Sequence, residues 1–247
     1  MPSQEYSPEW YAAFLETIPA GQTASEVDFI TRQMPPTEYG RILDICCGQG
    51  RHANPLAQAG YRVLGIDTNE AALERARAQA PKTAAYRNGD MRRLDALGDR
   101  FDGAINLWAS FGYFDDATNE EVLRQMAGVL RPGGRALIDV YNRDHMRKLP
   151  ETEITERAGT RVSTKRSWSG DRFRVELTYA TGNRDEFEWR LYTADELSRL
   201  CDLVGLDTVL ACAGFNESLP PSVAHARMQL VLERRDAGRP TRPPSAP

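Results

Sequence analysis

Short apolar runs alternate with stretches of helical period from residue 41 onward. Residues 41–46 (RILDIC) and 61–66 (YRVLGI) read as buried strands, with a helix over 51–59 between them. Residues 70–79 (EAALERARAQ) are strong helix formers, 84–87 a short strand and 91–97 a short helical segment. A strand over 102–108 (DGAINLW), a helix over 119–130 and a strand over 134–141 (GRALIDVY) follow. Ahead of this series, 9–15 and 25–33 read as helices. Ser25 is the expected N-cap of the second, and Met34-Pro35-Pro36 ends it. Strand–helix–strand repetition predicts parallel pairing through right-handed crossovers, an open α/β sheet.

After residue 141 the period drops to two. Residues 161–168, 172–181 and 186–192 alternate as half-exposed strands do, with turns at Ser169-Gly170-Asp171 and Gly182-Asn183-Arg184. The expectation is an antiparallel β insertion after the fifth strand. A helix over 193–204 and strands over 208–213 and 226–234 resume the core. The division expected is an N-terminal helical cap segment (1–40), an α/β core (41–146), a β cap (147–192), the remainder of the core (193–235) and a disordered tail (236–247).

The chain has 247 residues and a net charge of -4, with 41% hydrophobic residues. That balance fits a globular protein and argues against a wide phosphate-tracking surface, so a nucleic-acid partner is not expected. Cys46, Cys47, Cys201 and Cys212 form no CxxC pair, and His52, His145 and His225 are scattered, so no metal is expected. The opening MPSQEYSPEW lacks a signal-type apolar core, and no apolar run approaches the roughly 20 residues of a membrane span. A cytoplasmic protein with reduced cysteines and no membrane partner is the expectation.

The chemistry concentrates in ILDICCGQGRHA, residues 42–53. Gly48-x-Gly50-x-x-Ala53 permits a tight turn and close approach of a ligand to the backbone. Asp67, at the end of the second strand, is placed to accept from ribose hydroxyls. A dinucleotide and a phosphate-free adenosine ligand both satisfy this much. Asp44 separates them, because a carboxylate beside a pyrophosphate in a partly desolvated pocket costs several kcal/mol at an effective dielectric of about 20. A ligand with an ammonium is favoured, and S-adenosylmethionine (SAM) carries one.

ILDICCGQG, the acid in GID67, GD90M91, FDGAINLW and LRPGGRALIDVYN, taken in this order, resemble the motif set of class I SAM-dependent methyltransferases. The resemblance covers residues 41–141 and resumes weakly in the last helix and strands. It implies a Rossmann-like seven-stranded sheet with helices on both faces and the last strand antiparallel. It further implies that Asp44, Cys46, Gly48 and Gly50 line the methionine end, that Asp67 and Thr68 lie at the ribose, that Asp90 and Met91 meet the adenine, and that Leu107 lies near the methionine portion. Arg51 is a candidate for the ligand carboxylate. Tyr11 is a candidate to cover the cofactor, as a tyrosine near that end does in similar small-molecule methyltransferases. The LRPGG segment is expected to end a helix and turn the chain into the fifth strand.

Methyl transfer from a sulfonium is an in-line displacement in which the protein supplies alignment and desolvation, so no catalytic triad is required. Ligands of open α/β sheets bind beyond the carboxyl ends of the strands. Trp108, Phe111, Tyr113, Tyr141, Asn142 and Tyr192 are therefore candidates to line an acceptor site, and His145 is the candidate base. The reading is a methyltransferase acting on a small molecule at N or O, releasing S-adenosylhomocysteine (SAH), with the β cap as a candidate homodimer surface. A methyltransferase of RNA or protein, a noncatalytic SAM-binding protein and an NAD-dependent oxidoreductase stand as alternatives.

Overall fold

The structure, a computed structural model, describes residues 6–236. The expected tail lies outside them apart from residue 236. The chain begins with α1 (Pro8–Trp10) and a π-helical turn (Tyr11–Leu15), followed by α2 (Ala20–Gln33). The core then alternates β1 (Arg41–Ile45), α3 (Ala53–Gln58), β2 (Arg62–Asp67), α4 (Glu70–Ala78) and β3 (Ala84–Asn88). A 3-10 segment (Met91–Leu97), β4 (Phe101–Asn106), α5 (Asp116–Val129), β5 (Leu130–Tyr141) and the short α6 (Arg143–Met146) come next. Four cap strands follow: β6 (Thr152–Arg157), β7 (Thr160–Ser169), β8 (Arg172–Tyr179) and β9 (Arg184–Arg190). The chain closes with α7 (Ala194–Leu203), β10 (Leu206–Cys212) and β11 (Arg227–Arg234).

Seven strands form one sheet in the order β10-β11-β5-β4-β1-β2-β3. The β5–β4, β4–β1, β1–β2 and β2–β3 pairs are parallel, and β11 runs antiparallel to both its neighbours, β10 and β5. Central β1 is covered on both faces, which is why its sequence is a near-continuous apolar run. Leu43 and Ile45 join the core that includes α5 and the cap, while Ile42 joins the core under α2, α3 and α4. Asp44 shares the parity of Ile42 and so faces the α2–α3 side. Among the described residues, no helix is long and apolar enough to cross a membrane.

Several boundaries differ from expectation. Ser25 does not cap α2: the helix starts at Ala20, and Ser25 Oγ donates to Gly21 O one turn back (3.0 Å). Helix α5 starts at Asp116 because Asp115 accepts from Thr118 N (2.8 Å) and caps it. LRPGG is not a turn before β5. Leu130 already pairs with Phe101, and the register shifts before Gly103, so the segment is an irregular start of the strand. Gly134 is needed there, since a Cβ would stand 2.8 Å from Arg131 O. The cap has four strands, order β6-β7-β8-β9, all antiparallel.

Candidate active site

A cavity of about 700 Å³ opens at the carboxyl ends of β1, β2 and β4, within the range of small-ligand sites. Asp44 of β1 lines it with Cys46 and Gly48 of the loop that follows, and Asp67 at the end of β2 with Thr68 after it. Asp90 and Met91 line it after β3, Leu107 and Trp108 after β4, and Tyr11 with Arg51 completes the set that sequence brought forward. Tyr113 also faces it.

Asp44 lies at the cavity's base, 2% exposed. Its Oδ2 has no hydrogen-bond partner among the described residues. Burial, reinforced by the nearby Asp67 charge, pushes its carboxyl up to about 8. Arg51 presents the complementary defect, since its Nη2 is buried without a partner. Its Nη1 is engaged, 2.8 Å from both Glu26 Oε2 and Thr23 Oγ1, and the guanidinium lies 4.3 Å from the Trp108 ring centroid. Asp44 and Arg51 both line the cavity, and together they carry the charges complementary to a zwitterionic amino-acid group. Gly48 has a φ of +53°, and a Cβ there would meet nothing within 4 Å, so the turn leaves room over its backbone.

Asp67 braces this turn. Its Oδ2 accepts from Gly48 N (2.8 Å) and its Oδ1 from Asn69 N (2.9 Å). Asn69, not Asp67, caps α4 by accepting from Ala72 N (3.1 Å). Asp90 caps the 3-10 segment and pairs with Arg92, whose side chain lowers its carboxyl's proton affinity against burial.

Other expected residues stand elsewhere. His145 is outside the cavity wall, and its Nδ1 donates to Val223 O (2.9 Å). Gly50 does not face the cavity. Its φ of +78° and a Cβ position 2.5 Å from Tyr86 Oη make it a slot for that ring, which also rests on Gly65. Phe111 and Tyr192 pack on each other (5.8 Å between centroids), Tyr141 packs on Trp189, and Asn142 caps α6, all outside the wall. Phe111 and Tyr192 belong to the core cluster shared by α5 and the β insertion, and Tyr141 packs against it.

Three further residues matter here. Glu26, in α2 and 2% exposed, accepts from Gln22 (3.0 Å), His52 (2.7 Å), Arg51 (2.8 Å) and Trp108 Nε1 (3.3 Å). Burial would raise its proton affinity, but the His52 hydrogen bond and the Arg51 charge outweigh it and hold Glu26 at about 2. Burial lowers His52 to about 4, so above that pH it is a neutral imidazole donating Nε2–H to Glu26. Asp139, 0% exposed on β5, accepts from Trp108 N (2.8 Å), Gln229 Nε2 (2.8 Å) and Arg227 Nε (3.0 Å). Its backbone oxygen takes Ala109 N (3.0 Å). These bonds hold Trp108 and Ala109 at φ of 60° and 57°, a left-handed bend that non-glycine residues rarely adopt. Tyr6, the third, shares a hydroxyl contact with Tyr113 (2.7 Å) in the cavity wall.

Residues 42–134 match the methyltransferase domain family. A ubiquinone biosynthesis O-methyltransferase from Dinoroseobacter shibae is 31% identical over 199 residues, 74% of this chain and 71% of the relative. The chain belongs to the class I SAM-dependent methyltransferases. Several other curated relatives are matched over about half their own length. A SAM-dependent methyltransferase from Clostridium acetobutylicum shares the fold at a TM-score of 0.79 and 14% identity, over 92% of this chain and 97% of that one. A SAM-bound amino pentose methyltransferase from Micromonospora echinaspora does so at 0.71 and 21%, over 93% and 98%. The seven-stranded methyltransferase sheet anticipated from the motif set is the fold observed.

Proposed function

We propose that this methyltransferase acts on a small molecule, at nitrogen or oxygen, with Asp44 and Arg51 holding the amino-acid end of SAM. The observation that carries the reading is that Asp44 and Arg51, each with a buried, unpartnered polar atom (Oδ2 and Nη2), line one cavity of about 700 Å³. Asp67 and Thr68 take the ribose side, and Asp90 with Met91 the adenine side, as their places along the wall support. When bound, SAM supplies an electrophilic methyl group. The chain's own residues bind, orient and exclude water, which is the protein's share of an in-line displacement.

The rest of the wall supports a small acceptor. It includes Tyr6, Trp10, Ser110, Tyr113 and Phe114, on the N-terminal segment and the loop after β4. His145 has no part in this reading, since it points to a backbone carbonyl away from the cavity. The four free cysteines support a reducing, cytoplasmic setting. Ile154, 58% exposed on edge strand β6, is the feature that supports self-association through the cap, and a single monomeric species on sedimentation would reject it.

Incubation with methyl-labelled SAM across amines, hydroxyl compounds, RNA and protein tests the acceptor class. Label on small molecules is expected; label on RNA or protein alone would overturn it. A thermal shift with SAH, and none with NAD, checks the ligand independently of any acceptor.

A further inference from the structure

Tyr6 and Tyr113 meet across the cavity wall with their hydroxyl oxygens 2.7 Å apart. Aromatic neighbours from the N-terminal segment and β9 fix their rings. Tyr6 rests on Trp10 (4.1 Å) and Phe187 (5.1 Å), and Tyr113 on Trp189 (5.7 Å). The loop that carries Tyr113 is clamped as well. Gly112 O accepts from Arg190 N (2.7 Å), Ala109 O from Trp189 Nε1 (3.1 Å), and Phe114 O from Arg172 (2.8 Å) and Asn119 (2.9 Å). Gly112 cannot be replaced without moving the loop, because a Cβ there would lie 2.5 Å from Arg190 O.

In a hydroxyl–hydroxyl pair, one hydrogen is used between the oxygens and the other is free. The pair therefore offers the cavity one donor and unused lone pairs. Among the described residues, no carboxylate or imidazole contacts the two hydroxyls. Tyr141 and the Cys46 thiol are the other titratable groups that act on them, and burial raises the proton affinity of all four. Asp67 is committed to Gly48 and Asn69, and Asp90 to Arg92. An alcohol is a poor nucleophile until it loses its proton, whereas a free-base amine already carries its lone pair.

We propose that the Tyr6–Tyr113 hydroxyl pair anchors the methyl acceptor, and that the acceptor is a neutral aliphatic amine engaged by both oxygens. This rests on the methyl-transfer reading above. The nitrogen lone pair forms the new N–C bond as the S–C bond breaks, its electrons remain on sulfur, and the positive charge passes to nitrogen. The product ammonium then gives its proton to water.

The test compares aliphatic amines and amino sugars with counterparts in which a hydroxyl replaces the amino group, using wild type, Tyr113→Phe and Tyr6→Phe. SAH affinity is measured in parallel. The expected result is methylation of amine members, with KM for the amine raised about tenfold or more in each variant, a loss of the size of one buried hydrogen bond. SAH affinity is expected to stay within about twofold, since cofactor contacts are untouched. Label confined to the hydroxyl counterparts, label on neither class, or an unchanged KM in both variants overturns the proposal. In each of those cases retained SAH binding leaves the cofactor assignment standing, while wild type that binds no SAH removes the reading beneath it. The Tyr6 variant, on the N-terminal segment, keeps the test decisive where Tyr113→Phe fails to fold.

Discussion

Asp44 illustrates what a single position reveals from sequence and what it conceals. Its sign of charge pointed to a cationic ligand, but its burial was not legible, and burial moves its carboxyl to about 8 from an ordinary 3.8. Between those values the folded, cofactor-free chain keeps a proton that the unfolded chain has lost, so the contribution of Asp44 to stability falls as pH rises towards 8. An ammonium beside it favours the anion, and binding then releases that proton. SAH affinity is expected to rise close to tenfold per pH unit between about 6 and 7 and to flatten above 8, as linkage of one proton requires. Calorimetry in buffers of different ionisation enthalpy checks this, and Asp44→Asn is expected to remove the slope. Glu26 was not legible at all, because an acid in a surface-type helix looks the same whether or not a histidine 26 residues on lies over it. Glu26→Gln leaves Arg51 with a weaker partner. It is expected to weaken SAH binding about tenfold and to lower stability by about 3 kcal/mol, the scale for breaking a buried ion pair; titration and chemical denaturation measure the two. Gly50 was read as a place for the ligand and is instead the slot for Tyr86, whose hydroxyl is tied to Asn54 (2.6 Å). Gly50→Ala meets both a φ of +78° and a 2.5 Å contact, and is expected to cost about 2–4 kcal/mol in urea unfolding.

At the scale of elements, strands with an apolar signature were readable and strands without one were not. The parallel core was plain because each strand is a buried run between helices of strong formers. Strand β6 was missed because all of its residues but one are exposed, so TEITER shows no apolar alternation to read. Helix α2 was read five residues short, since its first turn is AGQTA with no capping side chain. The bend after β4 was invisible for a different reason. Trp108 and Ala109 carry no glycine or asparagine to mark a left-handed turn, and their conformation is imposed by Asp139 from the neighbouring strand. Only the carboxylate inside the apolar run ALIDVY hinted at a polar task. Asp139→Ala strips the partner from Arg227, Gln229 and the Trp108 N–H together. An expected loss of about 3–5 kcal/mol follows from leaving a buried guanidinium unpaired, with the melting of the variant as the measurement. SAH binding is expected to weaken in the same variant, because Trp108 is also the face on which Arg51 rests.

In the whole molecule, the cavity is closed by parts distant in the chain. The segment carrying Tyr6, Trp10 and Tyr11 is fastened to the cap by Ser7 Oγ donating to Asp185 (2.6 Å) and to the core by the Tyr6–Tyr113 contact. Asp185 also accepts from Tyr179 OH (2.6 Å), so one buried carboxylate on β9 joins the N-terminal segment to β8. Such a junction is unreadable from sequence, since nothing local pairs a serine at 7 with an acid at 185. It makes a prediction about where binding and order are coupled. A ligand filling the cavity touches the segment and both walls, so it favours the closed arrangement, and by reciprocity the closed arrangement favours the ligand. Asp185→Ala removes the junction without touching the Asp44–Arg51 end. Amide exchange over residues 8–15 is expected to speed up in the variant and to slow again when SAH is added. The acceptor KM is expected to rise several-fold more than the SAH dissociation constant, because the acceptor wall depends on Tyr6 while the amino-acid end does not. Equal weakening of both would place the junction in the cofactor's half of the cavity instead, and unchanged exchange would show that the segment is held without Asp185, by its aromatic contacts, the Tyr6–Tyr113 contact and Glu9 with Asn183 and Thr181.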